Sequence, residues 1–316
     1  MNNKEIYKKT LTFSIRRLLW DIASLVVMVA LGVAGFLLTA DILGLFIGVV
    51  VALIIIAIAS HFISYVFKAG QIAMMTRGIT EGSLPENVYE EGKKVVKERF
   101  VTVAVYYAAT GAIKGIFNQI GRAITSLGEA VGGDAGETVG SAISAIIQTI
   151  INYLCDCCLG WVFYKKDQNA AKATLDGAVL FFKKGKTFLK NMGRVFGIGF
   201  LSFIVIGGIF FGVTYLISSA FSEVFNTIST AIVKNGEGDL EFFAEANNIM
   251  LVVAGIGGVV MWSILHSVFV RPFVLVGVLR NYIESNKDEQ ISEEDYAELD
   301  KKSSKFKKLH AENATN

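Results

Sequence analysis

Apolar residues come in blocks along this chain rather than in alternation. A helix crossing ~30 Å of hydrocarbon at 1.5 Å per residue needs about 20 mostly apolar residues with few charges. Four blocks meet that outright: Ile22 to Ala40, Ile42 to Phe67, Val195 to Ile217 and Ile249 to Val270. Two more carry one charge each near an end, Phe100 to Phe117 with Lys114 and Val139 to Tyr164 with Asp156. The pattern predicts an all-α, polytopic helical membrane protein with six transmembrane helices, at about 22–40, 42–67, 100–117, 139–164, 195–217 and 249–270, plus amphipathic interfacial helices. Residues 1–280 make one transmembrane domain in this reading, and 281–316 a charged cytoplasmic tail. The first block is too long, and too soon followed by a second, for a cleaved signal peptide, whose apolar core is about 7–15 residues.

Between the fourth and fifth blocks the period changes. Ala171, Leu175, Ala178, Val179 and Phe182 fall on one helical face, with Lys172, Asp176 and Lys183 opposite. With Lys184, Lys186 and Lys190 following, such a helix suits the inner leaflet, where each cation adds about 1 kcal/mol toward anionic lipid; packing into the bundle fits the pattern as well. Pro272 predicts a kink where the last span ends, with a separate helix over Phe273 to Ile283. The tail carries eight acids between Glu284 and Asp300, then five lysines between Lys301 and Lys308, and reads as a short charged helix or a disordered arm.

Charge gives these blocks a direction. The chain is 53% apolar and 18% charged with a mean hydropathy of +0.52, which excludes a disordered chain. Its 30 Lys and Arg against 28 Asp and Glu leave +2, which argues against a nucleic-acid partner. With six spans, 27 of the 30 cations fall on one side, and only Lys114, Arg122 and Lys234 on the other. The positive-inside rule then predicts a multi-pass protein of the cell membrane with both termini cytoplasmic. The far side holds Asp41, Glu129, Asp134, Glu137, Glu223, Glu237, Asp239, Glu241 and Glu245, a surface that attracts cations, or simply what positive-inside bias leaves behind.

A weak repeat runs through the basic segments. Gly92-Lys93 with Lys97, Arg99 and Phe100 leads the third span, and Gly185-Lys186 with Lys190, Arg194 and Phe196 leads the fifth. Tyr7-Lys8-Lys9 with Arg16 and Arg17 is a looser version before the first. Units that begin and end inside would be parallel repeats. Positive-inside bias alone also yields this pattern.

Catalytic constellations are scarce. His61, His266 and His310 sit in no metal-ligand spacing, and there is no nucleophile elbow, phosphate loop or paired-aspartate motif, so no enzyme, cofactor or metal is expected. Ionisable groups inside spans are the default functional candidates, because burying a charge at mid-bilayer costs ~2.5–3.5 kcal/mol. Gln148, Asn152 and Asp156 form a stripe at four-residue spacing, with Lys114 and His266 as possible partners. Such a stripe lines a pathway or glues helices together. Tyr106, Tyr107, Tyr153 and Trp262 lie deep enough to cage a quaternary amine over their rings. Cys155-Asp156-Cys157-Cys158 lies toward the cytoplasmic end of its helix, where disulfides are disfavoured, and small buried side chains explain it best. The Gly208–Gly212 pair and Gly255, Gly257 and Gly258 permit close helix approach.

From the third span onward the chain resembles the choline transporter-like family in the order of its short motifs. These are Gly111-Ala-Ile-Lys-Gly-Ile-Phe117 with Arg122, Cys155-Asp-Cys-Cys-Leu-Gly-Trp161, Asn169-Ala170, Gly177 to Lys190-Asn191 with Arg194, and Ser303-Ser-Lys-Phe-Lys-Lys-Leu309. The resemblance covers roughly residues 105 to 310 and implies a truncated relative, since the family has more spans and carries an Asp-Thr pair where this chain has Arg271-Pro272-Phe273. The segments Arg77-Gly-Ile-Thr-Glu-Gly-Ser-Leu-Pro85 and Tyr89-Glu-Glu-Gly92 also resemble small bacterial membrane families of unknown function. The expectation is a transporter or channel-like protein for a small organic cation such as choline, with Asp156, Asn152, Gln148, Tyr106, Tyr107, Tyr153, Trp262 and His266 as binding residues and a homo-oligomer as a possible assembly. The rival expectation is a non-transporting scaffold in the lipid bilayer that binds partners or anionic lipid through its basic cytoplasmic segments.

Overall fold

The computed structural model describes residues 1–39, 41–100, 103–129, 136–190, 192–235 and 241–314, and every regular element among them is helical. In chain order these are α1 (Asn3–Thr39), α2 (Ile42–Thr80), α3 (Val88–Arg99), α4 (Val103–Glu129), α5 (Gly136–Tyr164), α6 (Ala170–Lys190), α7 (Met192–Ser202), α8 (Gly208–Ala220), α9 (Ser222–Asn235), α10 (Ala246–Leu265), α11 (Arg271–Asn286), α12 (Glu293–Lys302) and α13 (Ser304–Ala314). Two π-helical turns, Phe203–Gly207 and His266–Val270, join α7 to α8 and α10 to α11. The chain divides into one unit of Met1–Met192 with Phe273–Asn316, and a second of Gly193–Pro272.

The first unit is built on the α1–α2 hairpin. Asp41 turns the chain by accepting the Leu43 N–H. Glycines let the two backbones touch: a Cβ on Gly35 would lie 2.0 Å from the Gly44 carbonyl oxygen, and one on Gly48 2.0 Å from that of Leu31. At 37 and 39 residues these helices are about 55 and 58 Å long, well beyond a ~30 Å hydrocarbon core. Each accordingly has two characters. Toward the turn, Val26, Leu37, Leu38, Phe46, Ile54 and Ile58 are exposed and apolar, as lipid-facing side chains are. Away from it, Ile6 and Phe13 of α1 and Ala69, Ile72, Met74 and Met75 of α2 are buried among other helices. Phe13 wedges between Gly70 and Gly92, where an added Cβ would come within 2.7 and 2.5 Å of its ring.

Among the described residues four helical stretches are long and apolar enough to cross a membrane, Asn3–Thr39, Leu43–Ser60, Val195–Ala220 and Ala246–Asn286. The expected spans at 100–117 and 139–164 are not among them, so the described residues carry four such helices where six spans were expected. Packing supplies the reason. Ile113, Ile116 and Phe117 of α4 share one core with Ile151 and Leu154 of α5, Leu175 and Val179 of α6, Tyr296 and Leu299 of α12, and Phe306 of α13. Gln119 then donates from Nε2 to Ser304 Oγ at 3.0 Å and accepts from Ser303 Oγ at 3.0 Å. The Lys305 alkyl chain lies over Gly115, where a Cβ would meet its Cδ at 2.7 Å. A helix end that holds the charged tail cannot lie across a bilayer from it. In α5, Tyr153, Leu154, Cys157, Cys158, Leu159, Trp161, Val162 and Phe163 are all buried. A helical stretch so largely buried is either a core helix or a span, and here the neighbours of this C-terminal half are α2, α4, α6 and the tail.

The 169–183 periodicity is realised as α6, with Leu175, Ala178 and Val179 inward, so of the two positions left open it takes the bundle. Asp176, which the period puts on the polar face, is instead buried and accepts the Tyr296 hydroxyl. The tail is two capped helices. Ser292 and Asp295 form a reciprocal capping box at the start of α12.

In the second unit the kink expected at Pro272 is taken up by the π-turn before it. Proline has no N–H to donate, and the preceding Arg271 N–H reaches back to the His266 carbonyl, one residue further than in an α-helix. Gly257 and Gly258 press α10 on α8 and the first π-turn, since a Cβ on Gly258 would sit 2.8 Å from the Gly207 oxygen. The Gly208–Gly212 pair, expected at a helix contact, faces open space, where an added Cβ would meet no neighbouring side chain or helix within 4 Å.

Candidate functional site

Of the stripe expected on α5, Asp156 lies in a folded core. Asp156 is 1% exposed, and its Oδ1 is 2.6 Å from the Lys68 ammonium on α2, whose side chain is 36% exposed. One turn on, the Gly160 carbonyl accepts the Thr76 hydroxyl of α2 at 3.5 Å. A Cβ on Gly160 would sit 2.4 Å from Leu279 of α11, so three helices meet there. Tyr282 of α11 is buried, packs edge-on to Trp161 at 6.1 Å, and donates to the Gly177 carbonyl of α6 at 2.5 Å. Burial, reinforced by neighbouring groups, pushes the Cys157 and Cys158 thiols well above their ordinary range. They are free, protonated core side chains rather than nucleophiles.

The other residues expected in this unit differ in burial. Along α5, Gln148 is exposed, Asn152 half-buried and Asp156 buried, so the stripe runs inward from the surface. Tyr153 is 3% exposed within the core, and Tyr107 of α4 is half-buried. The side chains of Tyr106 and His61 fall outside the described residues, and Lys114 is exposed on α4.

Trp262 and His266 belong to the other unit, where the structure does bring them together. Their rings lie 5.3 Å apart, and Phe203 meets the indole edge-on at 5.1 Å. The indole N–H donates to Ser202 Oγ at 3.1 Å, and that hydroxyl donates to the Gly199 carbonyl at 2.7 Å. Both π-turns adjoin this cluster. Sequence reading missed Ser202 and the first π-turn, for which only the glycine density around 197–212 offered a hint.

A second feature that sequence reading missed is the clamp between α6 and the tail. Lys183 Nζ bonds Asp295 Oδ2 at 3.1 Å and the Gln290 carbonyl at 2.9 Å, and lies 3.3 Å from Glu289 Oε1. Lys184 Nζ takes the other oxygen of Glu289 at 2.8 Å. Hydrogen bonds from Lys184 and then Lys183 hold the Glu289 carboxyl below its usual range. The Ser292 backbone N–H and then Lys183 do the same for Asp295. Hydrogen bonding to Asp295 raises Lys183 in turn. Tyr296 donates to Asp176, and burial, with Asp176 second, pushes its phenol far up. Lys302 lies over the Phe182 ring at 4.5 Å. The tail lysines and acids thus carry α12 and α13 onto α6, a long-range pairing that local periodicity cannot show.

Among the described residues no three His, Cys, Asp or Glu side chains gather to hold a metal ion. No family model, no curated protein and no solved structure matches the chain. Chemically, the Lys68–Asp156 pair is a closed charge pair that ties α2 to α5, the Trp262–His266 cluster ties two apolar helices together, and the clamp presents lysines already holding carboxylates.

Proposed function

We propose that this chain is a membrane scaffold: two apolar helix pairs anchor a helical body at the cytoplasmic face of the cell membrane, and its basic segments bind anionic lipid or partner proteins. One observation carries the reading. Asp156, the carboxylate on which cation transport was expected to turn, is 1% exposed and neutralised by Lys68 inside a packed core. An acid that must receive an organic cation would have to give up that ammonium first.

The topology that goes with this reading has four spans and both termini inside. Dropping two adjacent spans leaves the alternation intact, so charge counting alone could not separate four from six. With four, Lys114 and Arg122 join the basic side, which then carries 29 of the 30 cations, leaving Lys234 alone on the other. The positive-inside rule is therefore satisfied by four spans as it is by six.

Uptake of labelled choline into proteoliposomes tests the reading against transport. The scaffold reading expects uptake no greater than in protein-free vesicles. Saturable uptake that Asp156→Asn abolishes, in a variant that keeps its helical circular dichroism, would overturn it.

A further inference from the structure

The clamp on α6 has the form of an occupied anion site. Glu289 places one carboxylate oxygen on each of two adjacent lysines, 3.3 Å from Lys183 and 2.8 Å from Lys184. Two ammonium groups bridged by two oxygens of one anion is also how a phosphate sits between lysines. The geometry points to Lys183 and Lys184 as a binding site for the phosphate of an anionic lipid headgroup, which Glu289 of the same chain occupies until a headgroup displaces it. This rests on the scaffold reading, in which the basic segments meet anionic lipid: α6 packs its apolar face into the bundle and leaves Lys183 and Lys184 partly exposed.

Three observations make displacement local. Glu289 lies in the 287–292 link between α11 and α12, outside both helices. The helices on either side are held independently, α11 by Tyr282 on Gly177 and α12 by Tyr296 on Asp176, with Leu299 and Phe306 in the core. Glu289 can therefore swing away while the tail stays docked. Lys183 and Lys184 keep 33% and 41% of their side-chain surface exposed, so an incoming anion has access. A lipid is favoured over a free anion by position: Lys184 precedes by eleven residues the apolar run that begins at Val195, and Lys186 and Lys190 lie between. Asp295, the second carboxylate on Lys183, is engaged by the Ser292 capping box and stays as the site's wall.

The test measures binding of dioctanoyl-phosphatidylglycerol to the full-length protein in a zwitterionic detergent, beside dioctanoyl-phosphatidylcholine and inorganic phosphate. Glu289→Gln removes the resident carboxylate and should tighten phosphatidylglycerol binding about three-fold, the scale of one partly exposed ion pair. Joint Lys183→Gln and Lys184→Gln should abolish the preference over phosphatidylcholine, while hydrogen exchange shows α12 and α13 still docked. A purely structural clamp predicts the opposite sign, so unchanged or weaker binding in Glu289→Gln overturns the proposal. Inorganic phosphate binding as tightly as phosphatidylglycerol would overturn the lipid assignment. None of these results depends on choline uptake, so the site can fail while the scaffold reading stands.

Discussion

If Lys68 and Asp156 form a structural pair, their substitutions must be strongly coupled. At 2.6 Å, two unit charges attract by about 6 kcal/mol at an effective dielectric constant of 20, before desolvation is subtracted. Removing one member of a fully buried pair costs about 3–5 kcal/mol, because the other charge is stranded. Asp156 is buried, but the Lys68 side chain is 36% exposed and water screens part of the loss, so Lys68→Met should cost about 2 kcal/mol. In a chain of 316 residues, at about 2.1 cal/mol/K of unfolding entropy per residue, that is a fall of roughly 3 °C in Tm. Asp156→Asn removes the buried charge, so adding Lys68→Met to it should cost little. The double-mutant cycle, read by circular dichroism melts in detergent, should give a coupling of about 2 kcal/mol. Additivity within about 0.5 kcal/mol would mean the ammonium does not neutralise Asp156, and the case against a cation site there would collapse.

Three further outcomes follow from the same contacts. Gly48→Leu forces a Cβ to within 2.0 Å of the Leu31 oxygen and should destabilise the α1–α2 hairpin by about 1–3 kcal/mol, read as a lower Tm; an unchanged melt would mean the helices do not touch. Phe306→Ala should cost about 3–5 kcal/mol of tail docking and appear as faster hydrogen exchange across α12 and α13; exchange equal to the wild type would contradict the shared core. The clamp should also respond to pH with a definite sign. Glu289 and Asp295 are lowered from 4.5 and 3.8, so their contribution is complete above those values and is lost as pH falls through the lowered ones. Lys183 is raised from 10.5, so its contribution is complete below that value and is lost as pH rises through the raised one. Protection of residues 289–295 should therefore be flat from pH 5 to 9 and drop in acid; loss of protection near neutrality would rule out these pairs.

Hydropathy alone revealed the helical class and the four strongest spans, because block length and apolarity are local properties. At 100–117 and 139–164 hydropathy does not discriminate, because a helix buried in protein and one buried in lipid carry the same side chains. The distinguishing contacts are distant in sequence: Gln119 meets Ser303 and Ser304, and Phe306 shares a core with Ile113 and Phe117. Asp156 was singled out correctly as unusual, yet its partner Lys68 had been counted among the basic residues of a loop. On α6 the period placed Leu175, Ala178 and Val179 well and misplaced Asp176, whose hydrogen bond to Tyr296 pulls a polar residue inward. Trp262 and His266 were each singled out but not as a pair, although they lie one turn apart, and Ser202 on another helix gave no signal.

The side of the membrane on which position 122 lies separates four spans from six most directly. Arg122→Cys, expressed in intact cells, is probed with a membrane-impermeant maleimide beside Glu312→Cys in the tail and Thr230→Cys between the last two apolar runs. The four-span account predicts that Arg122→Cys behaves as Glu312→Cys does, labelled only after lysis, while Thr230→Cys labels in intact cells. Labelling of Arg122→Cys from outside intact cells would place α4 across the bilayer and contradict the account.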